Sequence, residues 1–212
     1  MTDIKICGIT NLEDALHAAK VGADALGFNF YEKSPRYVTS YEVREILRKV
    51  RAERPEIKAI GVFVNEDEAR IQETAVESEI DMLQLHGDES PDFVHALRSR
   101  LGLQVIKAFR VSDQFETSIL DGYQADAILL DGFSRLEFGG TGKTADWEIA
   151  AGVAETGKRL YLAGGLSAEN VEEAIRRVRP FAVDACSLLE SLKGKKDPEK
   201  VRQFVNNARK YE

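Results

Sequence analysis

Cysteine is scarce in this chain: Cys7 and Cys186 are the two present, near opposite ends of 212 residues. Neither belongs to a CxxC pair or stands beside other metal ligands, which argues against a zinc site and against a disulfide framework. Proline is also sparse, at five residues, and no linker or low-complexity stretch divides the chain, so a single domain over residues 1–212 is expected. No apolar run approaches the ~18 residues of a membrane span, and the opening MTDIKICGIT carries charges where a secretory signal needs an apolar core. A cytoplasmic protein with no membrane partner is the expectation. Basic residues are in deficit, 29 Lys and Arg against 36 Asp and Glu, for a net charge of −7 and an isoelectric point near 5.2. That balance argues against a nucleic-acid partner and leaves room for a local cationic pocket that takes a small anion.

A nucleotide-binding phosphate loop is excluded on chemical grounds, although Gly142, Lys143 and Thr144 in FGGTGKTADW match its ending. The glycine that should open the loop falls at Glu137, whose carboxylate stands where a phosphate needs backbone N–H groups. The preceding strand-like run ends at Asp131 and the next helix signal is Asp146, so the segment reads as a long loop. Its glycines suit a lid over a bound substrate, with Lys143 a lid or surface charge.

What the chain does contain is a regular alternation of short Val/Ile/Leu-rich runs with helical spacing. IKICGI precedes the helix LEDALHAAKV, capped by Asn11 and stopped by Gly22; ALGFNF precedes a helix from Tyr41 to Val50. IKAIGVFV leads to a helix from Glu66 to Val76, MLQLHG to PDFVHALRSRL, and QVIKAFRV to a short helix near Asp113 to Leu120. AILLDG, LYLAGG and FAVDAC are followed by DWEIAAGVAE, a helix from Ser167 to Arg177 and one from Pro198 to Ala208. Strands without polar alternation, each followed by a helix, indicate a parallel sheet covered by helices, and eight such units close as a single-domain (β/α)8 TIM barrel. A doubly wound open sheet is the structural alternative.

In such a barrel the active site lies at the carboxyl ends of the strands, and those ends are unusually polar here. They are Cys7, Asn29, His86, Arg110, Asp131, Gly164-Gly165, and Asp184 to Ser187. No metal-ligand cluster is visible among them. Cys7 and Asp131, a thiol and a carboxyl on different strands, form the pair best suited to proton transfer, with Lys5 on the same strand face as Cys7 to favour a thiolate. The same residues also read as a small buried side chain and a loop cap. Gly164 and Gly165 ahead of LSAEN read as a phosphate-binding turn or simply as a tight strand-to-helix connection. His86 is a ligand contact or a strand cap, and Arg36 a carboxylate fork or a surface charge.

KICGIT, FYEKSPRYV, GVFVN, LQLHGDE, VIKAFRV, ILLD, GGTGKT with DW, and LAGGLSAENV succeed one another along these eight units. In that order the strings resemble the phosphoribosylanthranilate isomerase family of tryptophan biosynthesis over essentially the whole chain. The resemblance implies an Amadori rearrangement of a small phosphoribosyl substrate, without a metal or organic cofactor. It implies Cys7 as general base and Asp131 as general acid, Arg36 on the anthranilate carboxylate, and the Gly164-Gly165 and strand-eight loops, with Ser187, on the phosphate. His86 and Asp184 count among the expected substrate contacts, and the oligomer is left as monomer or homodimer. The chain departs from the family at VDACSLLE, where Cys186 and Leu188 replace a serine and a glycine of the usual VDVSSGVE. SLLESL is expected to form a short helix there, Leu188 to crowd the pocket, and Cys186 to lie near Cys7, exposing the site to oxidation. The alternatives are a phosphosugar isomerase of histidine biosynthesis and a non-catalytic phosphate-binding barrel. The former uses two aspartates, so Cys7 argues against it; the presence of both catalytic candidates argues against the latter.

Overall fold

The computed structural model describes residues 1–112, 115–132 and 143–210, the stretch 143–146 by its backbone alone. Eight strands alternate with helical segments: β1 (Asp3–Ile6), α1 (Leu12–Val21), β2 (Ala25–Asn29), α2 (Ser40–Glu53), β3 (Lys58–Phe63) and α3 (Glu68–Ser78). Then come β4 (Met82–Leu85), α4 (Pro91–Leu101), β5 (Gln104–Val111), a 3-10 turn (Thr117–Gly122), β6 (Ala127–Gly132) and α5 (Lys143–Glu155). The last units are β7 (Leu160–Ala163), α6 (Val171–Val178) and β8 (Ala182–Ala185), followed by a 3-10 turn (Ser187–Leu189), a hairpin of β9 (Glu190–Leu192) and β10 (Lys195–Lys196), and α7 (Pro198–Arg209). All eight main strands are parallel in sequence order. β8 pairs with β1 in the register Asp3↔Ala182 to Ile6↔Ala185, closing the barrel and excluding the open sheet.

Helix ends follow local chemistry. Asn11 accepts from the Asp14 N–H at the start of α1, and Thr39 and Glu42 form a reciprocal capping box on α2. Ser90 and Asp197 cap α4 and α7 ahead of prolines at the first helical turn. Several boundaries differ from the sequence expectation: α3 runs Glu68–Ser78 and α6 begins at Val171, and three further differences are larger in kind. The fifth crossover is a 3-10 turn from Thr117 rather than a helix from Asp113, and Asp113 and Gln114 lie outside the described residues. α5 starts at Lys143 instead of Asp146, while residues 133–142, on which the lid reading rests, are outside the description. In SLLESL only Ser187–Leu189 is helical. At Glu190 the chain turns into β9, because its carboxylate is drawn inward to two cations.

The strand period of two divides the core into layers. Ile4, Ile6, Leu26, Phe28, Ile128, Leu130 and Val183 pack outward against the helices. Ala25, Ile60, Met82, Ile106, Ala108, Ala127, Leu129, Tyr161, Ala163 and Ala182 fill the interior. Continuing the inward parity toward the strand ends brings Cys7, Asn29, His86, Arg110, Asp131 and Asp184 to one mouth.

The opposite end of the barrel is clamped by a repeated device. Asp24, Asp81 and Asp126 each precede an even-numbered strand, and each carboxylate accepts the backbone N–H near the start of the strand before it: Ile4 at 2.7 Å, Ala59 at 2.7 Å and Val105 at 2.8 Å. Arg209, Arg51 and Arg98 pair with the three carboxylates at 2.6–2.8 Å. Arg98 and the Val105 N–H hold the Asp126 carboxyl below its ordinary range in spite of its burial. Asp126→Ala leaves that N–H without its acceptor, and urea unfolding should show a loss of about 1–3 kcal/mol. The kcat/KM of the folded variant should be unchanged, since the clamp lies at the end of the barrel remote from catalysis.

Candidate active site

The mouth is organised from the β1–β8 seam. Lys5 and Asp184 are register partners, both buried, and their side chains meet at 2.9 Å. Burial is the largest influence on Asp184 and raises its carboxyl to about 6 against the attraction of Lys5, while the nearby Cys7 thiolate also raises it. Burial disfavours the Lys5 ammonium, but Asp184 and Cys7 outweigh it and keep the charge. One Asp184 oxygen holds Lys5; the other, Oδ1, is buried without a partner among the described residues.

Two positions past Lys5, Cys7 faces the same side. Its thiol is lowered well below the ordinary range, first by a hydrogen bond from Cys186, then against burial by Lys5. Cys186 is driven the opposite way by the same contact, so the proton of the pair stays on Cys186. Gly27 on β2 makes the packing possible: a Cβ there would lie 2.7 Å from the Cys7 sulfur and 3.0 Å from the Lys5 nitrogen. A methyl group at position 27 would displace the thiol.

Across the mouth, Asp131 is the penultimate residue of β6 and His86 follows β4. The Gln84 amide nitrogen lies 2.9 Å from His86 Nδ1, and His86 Nε2 lies 3.4 Å from Asp131 Oδ2. Gln84 Oε1 is a second buried acceptor without a partner among the described residues. The loop behind His86 is pinned by the buried Lys107–Glu89 pair at 2.9 Å, Lys107 donating also to the Gly87 carbonyl.

Arg36 is not a surface charge. Its Nε and Nη2 fork onto the Glu190 carboxylate at 2.6 and 2.7 Å, and Glu190 also binds the buried Lys196 at 3.2 Å. Burial would raise the Glu190 carboxyl, but Arg36 and Lys196 together bring it below its ordinary range. Gly164 and Gly165 both have left-handed backbone, φ 85° and 65°, and a Cβ on Gly164 would fall on the Gly132 backbone. Glycine is therefore required by the turn itself. Asn170 bridges this turn, accepting from the Ser167 N–H and donating to the Gly165 carbonyl, and α6 begins only at Val171. The glycines are thus a loop's length from the helix they were expected to precede directly.

A cavity of about 390 Å³ joins these pieces, lined by all eight expected site residues: Cys7, Arg36, His86, Asp131, Gly164, Gly165, Asp184 and Ser187. Asn29, Arg110 and Leu188 also border it. Among the described residues no group of three or more His, Cys, Asp or Glu side chains could hold a metal ion, and no helix is long and apolar enough to cross a membrane. Gln84, Gly27, Glu190 and Lys196 were not singled out by the sequence. Gln84 was accessible by its inward parity with His86, whereas Lys196 depends on a hairpin that no local signal announced.

A closed parallel barrel with a depressed thiol and a carboxyl opening into one polar cavity is the arrangement of a (β/α)8 enzyme working by proton transfer. The chain belongs to the N-(5'phosphoribosyl)anthranilate (PRA) isomerase family, whose model matches residues 4–207. It is 48% identical to N-(5'-phosphoribosyl)anthranilate isomerase of Pelobacter propionicus over 99% of this chain and 96% of that protein. A crystal structure of phosphoribosyl anthranilate isomerase from Thermotoga maritima superposes with a TM-score of 0.85 at 40% identity, covering 99% of this chain and all of that one. A further solved structure, of phosphoribosyl anthranilate isomerase in complex with reduced 1-(o-carboxyphenylamino)-1-deoxyribulose 5-phosphate, matches at 37% identity and a TM-score of 0.84, with 99% and 100% coverage.

The coupling of the two thiols has a direct readout. A thiolate is the reactive form, so alkylation of Cys7 by iodoacetamide should lose speed only as pH falls through a midpoint well below the ~8.5 of a free thiol. In Cys186→Ala the principal donor is gone and the midpoint should move to higher pH. Peptide mass spectrometry across a pH series measures both, and coincident midpoints would refute the coupling.

Proposed function

We propose that this chain carries out the reaction of its family, converting N-(5'-phosphoribosyl)anthranilate to 1-(2-carboxyphenylamino)-1-deoxyribulose 5-phosphate, with Cys7 as the general base and Asp131 as the general acid. The observation that carries the reading is the placement of these two groups at the ends of β1 and β6 around one cavity, each beside a side chain that positions it: Cys186 and Lys5 for Cys7, His86 at 3.4 Å for Asp131. Protonated Asp131 gives its proton to the ribose ring oxygen, and the C1–O bond breaks as the anilino nitrogen supplies electrons to form a Schiff base. The iminium acidifies the C2 proton, which the Cys7 thiolate removes to leave an enolamine. Tautomerisation then yields the ketose. The substrate's own nitrogen provides the electron sink, so the reaction as drawn calls for no cofactor.

His86 acts on Asp131 more directly than on substrate in this reading, orienting the carboxyl. Arg36 spends two of its five N–H donors on Glu190, and the remainder are available to the anthranilate carboxylate. The unpartnered Asp184 Oδ1 suits a sugar hydroxyl, and the backbone at Gly164, Gly165 and Ser187 suits the phosphate. Leu188, half exposed at the cavity edge, narrows that side and raises KM. A thiol at the end of β1 disfavours the two-aspartate chemistry of the histidine-pathway relative. The T. maritima relative is described as dimeric; a monomer or a homodimer is proposed for this chain, in the cytoplasm.

The fluorescence decay of phosphoribosylanthranilate tests the assignment. Cys7→Ser and Asp131→Asn should each lower kcat by about 10²–10⁴ while leaving the fold intact by circular dichroism. Near-wild-type kcat in either variant would overturn the role given to that residue.

A further inference from the structure

Cys7 and Cys186 occupy the next register position beyond a ladder that is already closed. β1 and β8 pair as Lys5↔Asp184 and Ile6↔Ala185, and the Cys7 N–H continues the pattern by donating to the Ala185 carbonyl at 2.9 Å. Residues paired across neighbouring parallel strands stand about 4.8 Å apart and point to the same side. That separation falls inside the ~4.4–6.8 Å between Cα atoms that a disulfide spans. Two residues back along the same seam, Lys5 and Asp184 already meet at 2.9 Å. Each thiol shifts the other in the opposite direction, and Cys186, with φ −136° and ψ −86°, is leaving the sheet, so its backbone is not held by ladder bonds on both sides.

Both cysteines are half-buried and border the cavity, so a small solute that enters it reaches sulfur. The surroundings favour anionic sulfur on each in turn. Lys5 lies beside Cys7, and the buried Lys196 places Nζ 3.7 Å from the Cys186 sulfur and 3.1 Å from its carbonyl oxygen. A second cationic group serves the second cysteine, which isomerisation by Cys7 and Asp131 does not use.

We propose that Cys7 and Cys186 form a dithiol modification site that hydroperoxides convert to an intramolecular disulfide, reversibly removing the Cys7 thiolate. The Cys7 thiolate attacks one oxygen of hydrogen peroxide; the O–O bond breaks, leaving Cys7 as a sulfenic acid and releasing hydroxide, which a proton turns to water. Cys186 then loses its proton with Lys196 alongside, its sulfur attacks the Cys7 sulfur, and the S–O bond breaks as a second water departs. One peroxide is reduced and two thiols are oxidised. The disulfide stops the chemistry at a reducible stage, because a sulfenic acid left without a partner proceeds to irreversible sulfinic acid. In a reducing compartment the pair stays open, and closure marks a peroxide excess.

The test treats wild type and Cys186→Ser with hydrogen peroxide and follows mass, peptide linkage and recovery in dithiothreitol. Wild type should lose two hydrogens, about 2 Da, show the Cys7 and Cys186 peptides joined, and regain its activity on reduction. The variant should gain oxygen on Cys7 and remain inactive after reduction, each protein being compared with its own untreated rate. Oxygen adducts on wild-type Cys7 without joined peptides, or equal recovery of both proteins, would overturn the proposal. Linkage is read by mass and so stands apart from the assignment of Cys7 as base: joined peptides with undiminished activity would sink that assignment and support the dithiol.

Discussion

The site depends on one buried ion pair laid across the joint where the barrel closes. Lys5 and Asp184 are register partners on β1 and β8, and neither could be buried without the other. Their charges do more than offset each other. Asp184 anchors the ammonium that sits beside Cys7, and Lys5 satisfies only one oxygen of Asp184, leaving the second buried without a partner among the described residues. The interior accommodates this pair because β2 contributes Gly27 and the neighbouring positions are small, Ala25 and Ala182 among them.

Around that pair charges of both signs are interleaved. Lys5, Arg36, Arg110 and Lys196 gather at one end of a chain that carries a net −7, and Asp184 and Glu190 hold three of these cations in place. Two carboxylates near the mouth are driven in opposite directions by their surroundings. Burial would raise Glu190, but Arg36 and Lys196 bring it below its ordinary range, whereas burial raises Asp184. Separation of roles among like groups follows from which cations and donors each strand end supplies.

Much of this was legible before any coordinates. The strand runs, buried on both faces, announced a parallel sheet, and the count of eight announced closure; period-two parity then brings Cys7, His86, Asp131 and Asp184 to one mouth. Helix boundaries were less legible, because Lys143 and Thr117 begin their elements without a local stop or start signal. Least legible were the relations between distant residues. Nothing around Arg36 points to Glu190, 154 positions away, and the hairpin that carries Lys196 has no alternating pattern to mark it. The closeness of Cys7 and Cys186, by contrast, follows from closure alone, since the first and last strands of any barrel are neighbours.

The aspartate clamps divide the barrel into quarters. Asp24 ties β2 back to β1, Asp81 ties β4 to β3, and Asp126 ties β6 to β5, each bond staying within its own two-strand module. The fourth module has no such aspartate: Thr2 and Asp3 of the first quarter instead bond the carbonyls of Pro180 and Phe181. Three quarters are fastened to themselves and the last is fastened to the first, which makes the final module the latch of the ring. Chain ends and latch coincide, so the pairing that closes the ring is the same one that joins Lys5 to Asp184 at the mouth.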